Sequence, residues 1–136
     1  MALKERVETF EKAFKRLKEA LKEAENHRKN SYFQFFRDST IQRFEFTVET
    51  LWKAIKAFLL KVEGVDCRSP KGCIREFFSS GYLTEDEAGK LLEMIDDRNL
   101  TSHTYREEIA DLIFSKIKDY TELMEVVLKK LKRVNC

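Results

Sequence analysis

The chain has 136 residues, of which 43% are hydrophobic and 37% charged. That length suits a single domain over 1–136 with a real core, and the mixture is too apolar for a disordered chain and too charged for a membrane one. Four glycines and one proline leave out the turn chemistry of a many-stranded sandwich or barrel, so the expectation is an all-α fold with few connections. Lys plus Arg number 26 against 24 for Asp plus Glu, so net charge gives no argument for a nucleic acid and any such role must come from a local site.

Apolar residues Val7, Phe10, Phe14, Leu17, Leu21 and Ala24 recur at steps of 3, 4, 3, 4 and 3, one stripe on a first helix that ends near Asn26. His27, in the polar stretch that follows, is expected at the surface. A second helix is expected to start near Asp38, with Asp38-Ser39 as its cap. It carries Ile41, Phe44, Val48, Leu51, Ile55, Phe58 and Val62 and stops at Gly64 in a left-handed turn. Trp52 and Leu59 widen its stripe, which predicts cover on more than one side, by a bundle neighbour and by another subunit. Tyr32, Phe33, Phe35 and Phe36 read as core or interface aromatics.

Ser69-Pro70 is an N-cap followed by proline at the first helical position, opening a short helix with Ile74, Phe77 and Phe78 that Gly81 closes. Thr84 to Glu87 forms a capping box for a fourth helix burying Ala88, Leu91, Leu92 and Ile95. A break is expected at Asn99 to Ser102, and Thr104 to Glu107 reads as a second box opening the last helix. That helix is expected to bury Ile109, Leu112, Ile113, Ile117, Tyr120, Met124, Val127 or Leu128, and Leu131. The run Lys129-Lys130-Leu131-Lys132-Arg133 and the lysines of the first helix read first as solvated faces, with contact to RNA as the alternative. The sum is an antiparallel up-and-down bundle of four long helices plus one short one.

No apolar run approaches the ~20 residues of a transmembrane helix, and the first residues lack the apolar core of a secretory signal. A cytoplasmic location is the expectation. Cys67, Cys73 and Cys136 have no histidine near them at metal-ligand spacing, so no metal site is expected. The spacing of Cys67 and Cys73 allows a disulfide, but a cytoplasmic chain predicts reduced thiols. No cofactor-binding fingerprint occurs.

The segment from Asp96 to Tyr105 gathers a cation, a histidine and a tyrosine where no glycine or proline stands. Neutral histidine near pH 7 serves as a general base, and arginine holds a phosphate or stabilises charge developing on it. On one continuous helix Arg98 and His103 would lie on different faces, whereas a turn between helices would bring them together. The bland alternative is a capped turn with a solvated arginine.

This segment, Arg98 and His103 separated by four residues with Tyr105 two beyond, resembles the Arg-x4-His-x-Tyr signature of HEPN-domain proteins. The stretch from Asp38 to Glu49, continuing to Trp52-Lys53, looks like the signature helix of their nucleotidyltransferase substrate-binding subfamily. The resemblance implies a bundle that forms a homodimer with two Arg-x4-His motifs facing a shared cleft, and a cognate minimal nucleotidyltransferase as partner. In several such pairs the HEPN protein is a toxin, a metal-independent ribonuclease, and the nucleotidyltransferase antitoxin attaches AMP to the motif tyrosine. Carried over, Arg98 and His103 cleave RNA, Asn99 supports them and Tyr105 accepts AMP. The alternative is a non-catalytic subunit that presents substrate to the nucleotidyltransferase or regulates it.

Overall fold

The computed structural model describes residues 2–103 and 106–134, without the side chains of Ser102, His103 and Val134. Among these residues the structure is all-α: α1 (Leu3–Asn26), α2 (Phe33–Phe58), α3 (Pro70–Ser79), α4 (Glu85–His103) and α5 (Glu107–Val134), four long helices and one short, with no strand. The helices pack antiparallel, and α1 and α2 form the most extensive pairing. No helix is long and apolar enough to cross a membrane.

The 3,4 stripe of α1 is buried as its period dictates, with Phe10, Phe14 and Leu17 in the core beside Phe44, Leu51, Ile55 and Phe58 of α2. The side chain of Thr47 reaches across to the Ala13 carbonyl at 3.3 Å. On the far side, α5 adds Ile113, Ile117, Tyr120, Met124, Val127, Leu128 and Leu131. Leu112, expected inside, is half exposed: it stands one residue, about 100°, off the buried row through Ile113. At the other end Lys132 donates to Glu11 at 2.7 Å, tying α5 to α1.

Local signals explain the helix ends of the middle segment. The Ser69 hydroxyl accepts from the Gly72 amide at 3.0 Å with Pro70 at the first position, and Gly64 and Gly81 take left-handed φ of 68° and 92°. Thr84 and Glu87 exchange both capping-box hydrogen bonds, at 2.8 and 3.1 Å. Past Phe58 the chain widens into a π-helical turn, Leu59–Glu63. The extra residue slips the stripe, so Leu59 stays buried while Val62, expected inside, is exposed.

Three further expectations are corrected. The second helix starts at Phe33 rather than near Asp38: the aromatic residues of its first turns pack well enough to override the polar signal, Phe33 edge-on to Phe114 and Phe36 stacked on His27 at 4.1 Å. His27 is therefore a packed residue, whose Nδ1 also hydrogen-bonds the Glu23 carbonyl at 2.8 Å. Cys67 and Cys73, expected reduced, are joined in a disulfide; both are buried where the chain enters α3, at a Cα separation of 5.1 Å that suits a bridge.

The Lys132 hydrogen bond holds the Glu11 carboxyl below its ordinary value despite partial burial. A depressed folded-state value means that this contribution is present above the unfolded range and fades as pH falls through the folded one. In a Glu11→Gln chain the acid limb of a urea-denaturation series should lose that component, a few tenths of a kcal/mol for so exposed a pair, while the neutral-pH fold is retained. An acid limb identical to that of the parent would show that the pair contributes nothing.

Candidate active site

The fourth helix runs unbroken through Asn99 to His103. The expected break at Asn99–Ser102 is absent because Leu91, Met94 and Ile95 keep the helix docked on the core and Thr101 bonds back to the Arg98 carbonyl at 2.8 Å, inside the helical turn. Positions 98 and 103 thus stand about 140° apart around one helix axis, and no inter-helix turn folds them together. The expected box at Thr104–Glu107 and the acceptor Tyr105 fall on or across residues outside the described ones; α5 begins at Glu107.

Arg98 is about one-third exposed, and its Nη2 lies 3.2 Å from Glu49 of α2, with Nη1 donating to Asn99 at 3.4 Å. Both partners hold the guanidinium at the surface edge, Glu49 by charge and Asn99 by its amide oxygen. Glu49 also pairs with Lys53, one turn on. The residue N-terminal to Arg98 anchors the helix: buried Asp97 accepts a short hydrogen bond from the Tyr120 hydroxyl and another from Lys116 at 3.2 Å. Burial, reinforced by Asp97, pushes the Tyr120 hydroxyl well above its ordinary value, so it remains a donor. The hydrogen bond to Glu93, with Asp97 adding to it, raises Lys116, which stays charged. Tyr120 in turn stacks on Phe44 of α2 at 5.6 Å and 14°.

A second clamp holds the start of α5. Arg37, 3% exposed, binds Glu107 at 2.7 Å and Asp111 at 2.9 Å on the first turns of α5, and Asp38 at 2.9 Å beside it. Burial opposes its charge, and the hydrogen bonds to these carboxylates outweigh that and keep it protonated. Asp38, expected to cap a helix, serves this arginine instead. The C-terminal half of α4 is therefore held through Arg98 on Glu49 and through Asp97 on Tyr120 and Lys116, and the first turns of α5 by Arg37. A cavity of about 100 Å³ sits between these ends, bounded by Gln42 and Glu45 of α2 with Thr101 and Arg106.

Of the expected site residues, the structure places Arg98 and Asn99 in contact and puts the backbone of His103 at the end of the same helix. Arg37 carries no role in the sequence expectations, nor do Asp97 and Glu49, and Tyr120 is expected there as a buried residue without its bond to Asp97. The only signal for Arg37 was a charge directly after two phenylalanines, and its partners on α5 lie 70 or more positions away.

A family described as nucleotidyltransferase substrate binding protein like matches residues 5–133. The chain belongs to this family. A Haemophilus influenzae protein named probable ribonuclease HepT is 29% identical over 99 residues, 70% of this chain and 66% of its own length. A solved structure from Thermus thermophilus is 43% identical, with a TM-score of 0.72 over 85% of this chain and 98% of that one. The tri-AMPylated Shewanella oneidensis HEPN toxin, solved in complex with an MNT antitoxin, has a TM-score of 0.71 over 96% of both chains. At 15% identity that likeness is one of fold. Helix α2 reaches the segment from Asp96 to His103 through Glu49, which pairs with Arg98, and through Phe44, whose partner Tyr120 donates to Asp97.

Proposed function

We propose that this chain is a HEPN ribonuclease toxin that cleaves RNA without a metal at Arg98 and His103 and is neutralised when a cognate minimal nucleotidyltransferase attaches AMP to Tyr105. The observation that carries the reading is Arg98 held by Glu49 of the signature helix at 3.2 Å, at the start of a complete Arg-x4-His-x-Tyr motif in a chain of this family. RNA contains its own nucleophile, the 2′-hydroxyl, so a cleaving site needs proton transfer by histidine and stabilisation of the phosphorane charge by arginine. Asn99 supports the guanidinium through its amide oxygen. Because positions 98 and 103 lie on different sides of α4, a homodimer with two motifs facing one cleft would complete the set from both copies. AMP on Tyr105 adds bulk and a negative phosphodiester where a substrate phosphate must sit. The chain acts inside the cell, where RNA and ATP are found.

Two measurements on the purified chain test this. It should cleave single-stranded RNA in the presence of a chelator, and incubation with the partner, ATP and magnesium should add one or more units of about 329 Da and stop cleavage. A Tyr105→Phe chain should cleave and take no added mass. Unchanged RNA, or equal added mass on the Phe chain, would overturn the reading in favour of a non-catalytic substrate-binding or regulatory subunit, which the family description favours.

A further inference from the structure

The lysines of the first helix, which look in sequence like one solvated face, meet a cation from another helix in the folded chain. A groove of about 730 Å³ runs between α1 and α2, lined by Lys12, Lys15 and Arg16 on one wall and Arg43 and Phe46 on the other. Among the described residues Glu19 is its one acidic lining residue, so the groove carries a local charge of about +3 on a chain whose net charge is +2. Lys15 approaches Glu11 only at 4.0 Å, which leaves its charge largely available to a ligand. Between these cations the ring of Phe46 is 59% exposed, a large apolar face left to water in a basic trough.

Cations along a track with an aromatic face beside them are what a single strand of nucleic acid takes: the backbone phosphates pair with the charges and a base stacks on the ring. The groove extends along α1 from Thr9 to Glu19, about 15 Å at the helical rise, enough for two or three nucleotides. It also leads toward the motif. Gln42 lines this groove and, on its other side, the cavity bounded by Thr101 and Arg106, which flank His103 and Tyr105 in the chain. Asp38 and Glu45 lie on the cavity side of Gln42, so the positive field belongs to the α1–α2 side and draws the strand there.

We infer that the α1–α2 groove is the seat of single-stranded RNA, with Lys12, Lys15, Arg16 and Arg43 on its phosphates and Phe46 under a base, guiding the strand over Gln42 to the motif. The inference rests on the RNA substrate of the proposed function and is tested by binding rather than by cleavage, so that either can fail alone. The probe is a fluorescein-labelled oligouridylate of about 12 nucleotides, titrated by anisotropy onto the full His103→Ala chain at several salt concentrations. The Lys12→Gln, Arg16→Gln, Arg43→Gln combination should weaken binding about 100-fold at ~0.1 M salt and make the slope of log affinity against log salt shallower by about 2. Phe46→Ala should weaken it about tenfold with the slope unchanged. Light scattering and circular dichroism on the same variants should give the parent mass and helix content. Wild-type affinity and slope in the triple variant would overturn the inference. So would weakened binding that tracks a changed oligomeric mass, or lost capture of the nucleotidyltransferase with RNA affinity intact, since either makes the groove a protein interface.

Discussion

An Arg98→Ala chain should cleave single-stranded RNA about 10²–10⁴ times more slowly than the parent, and so should His103→Ala, because under the proposed function each removes a group that acts on charge or a proton in the transition state. The fold should survive the arginine change nearly intact. Arg98 is about one-third exposed and its pair with Glu49 is equally accessible, so its loss costs no more than about 1 kcal/mol. Glu49→Gln is the informative companion. It keeps Arg98 and His103 and weakens the contact that orients the guanidinium, so its rate should fall by roughly tenfold, between the parent and Arg98→Ala. Initial rates on one labelled RNA, with thermal melts of each protein, provide the comparison. Undiminished cleavage by either alanine variant would remove the assigned chemistry.

Phe44→Ala should have the largest effect on stability, about 3–5 kcal/mol by urea denaturation and a fall in Tm of roughly 10–20 °C. The ring is fully buried and stacks on Tyr120, so truncation opens a cavity at the junction of α2, α4 and α5. It also removes the wall that aims the Tyr120 hydroxyl at Asp97. Tyr120→Phe separates the two contributions. It keeps the ring stack, deprives buried Asp97 of one donor while Lys116 remains, and should cost about 1–3 kcal/mol. A Phe44→Ala loss below about 1.5 kcal/mol would show that this junction relaxes to fill the space and does not hold the end of α4.

Local interactions made most of the fold legible in the sequence. The 3,4 stripes of α1 and of α2 up to Phe58, the Ser69-Pro70 start, the Thr84–Glu87 box and the stops at Gly64 and Gly81 each depend on residues within a few positions of one another. A one-dimensional reading contains everything such signals need. The proposed motif was legible for the same reason, because Arg98, Asn99, His103 and Tyr105 fall within eight consecutive positions.

Wherever distant groups compete with a local signal, only the tertiary structure decided. Asp38 and Ser39 form a sound N-cap pattern, yet α2 starts five residues earlier because His27 and Phe114 offer its aromatic residues a packing surface. The polar run after Asp97 looks like a break, yet α4 continues because Leu91, Met94 and Ile95 dock it on the core, Asp97 is drawn inside by Tyr120 and Lys116, and Thr101 bonds back within the turn. Arg37, Glu107 and Asp111 become one ion cluster, and Lys12, Arg16 and Arg43 one groove, only after two helices meet. Composition and spacing by themselves determined a helical bundle of the right elements, while the continuation of the fourth helix through Arg98 and Asn99 to His103 came from the tertiary structure. Which charges are buried, paired or pooled is set by long-range packing, since the energy of a charge depends on what surrounds it in space and not on its neighbours along the chain.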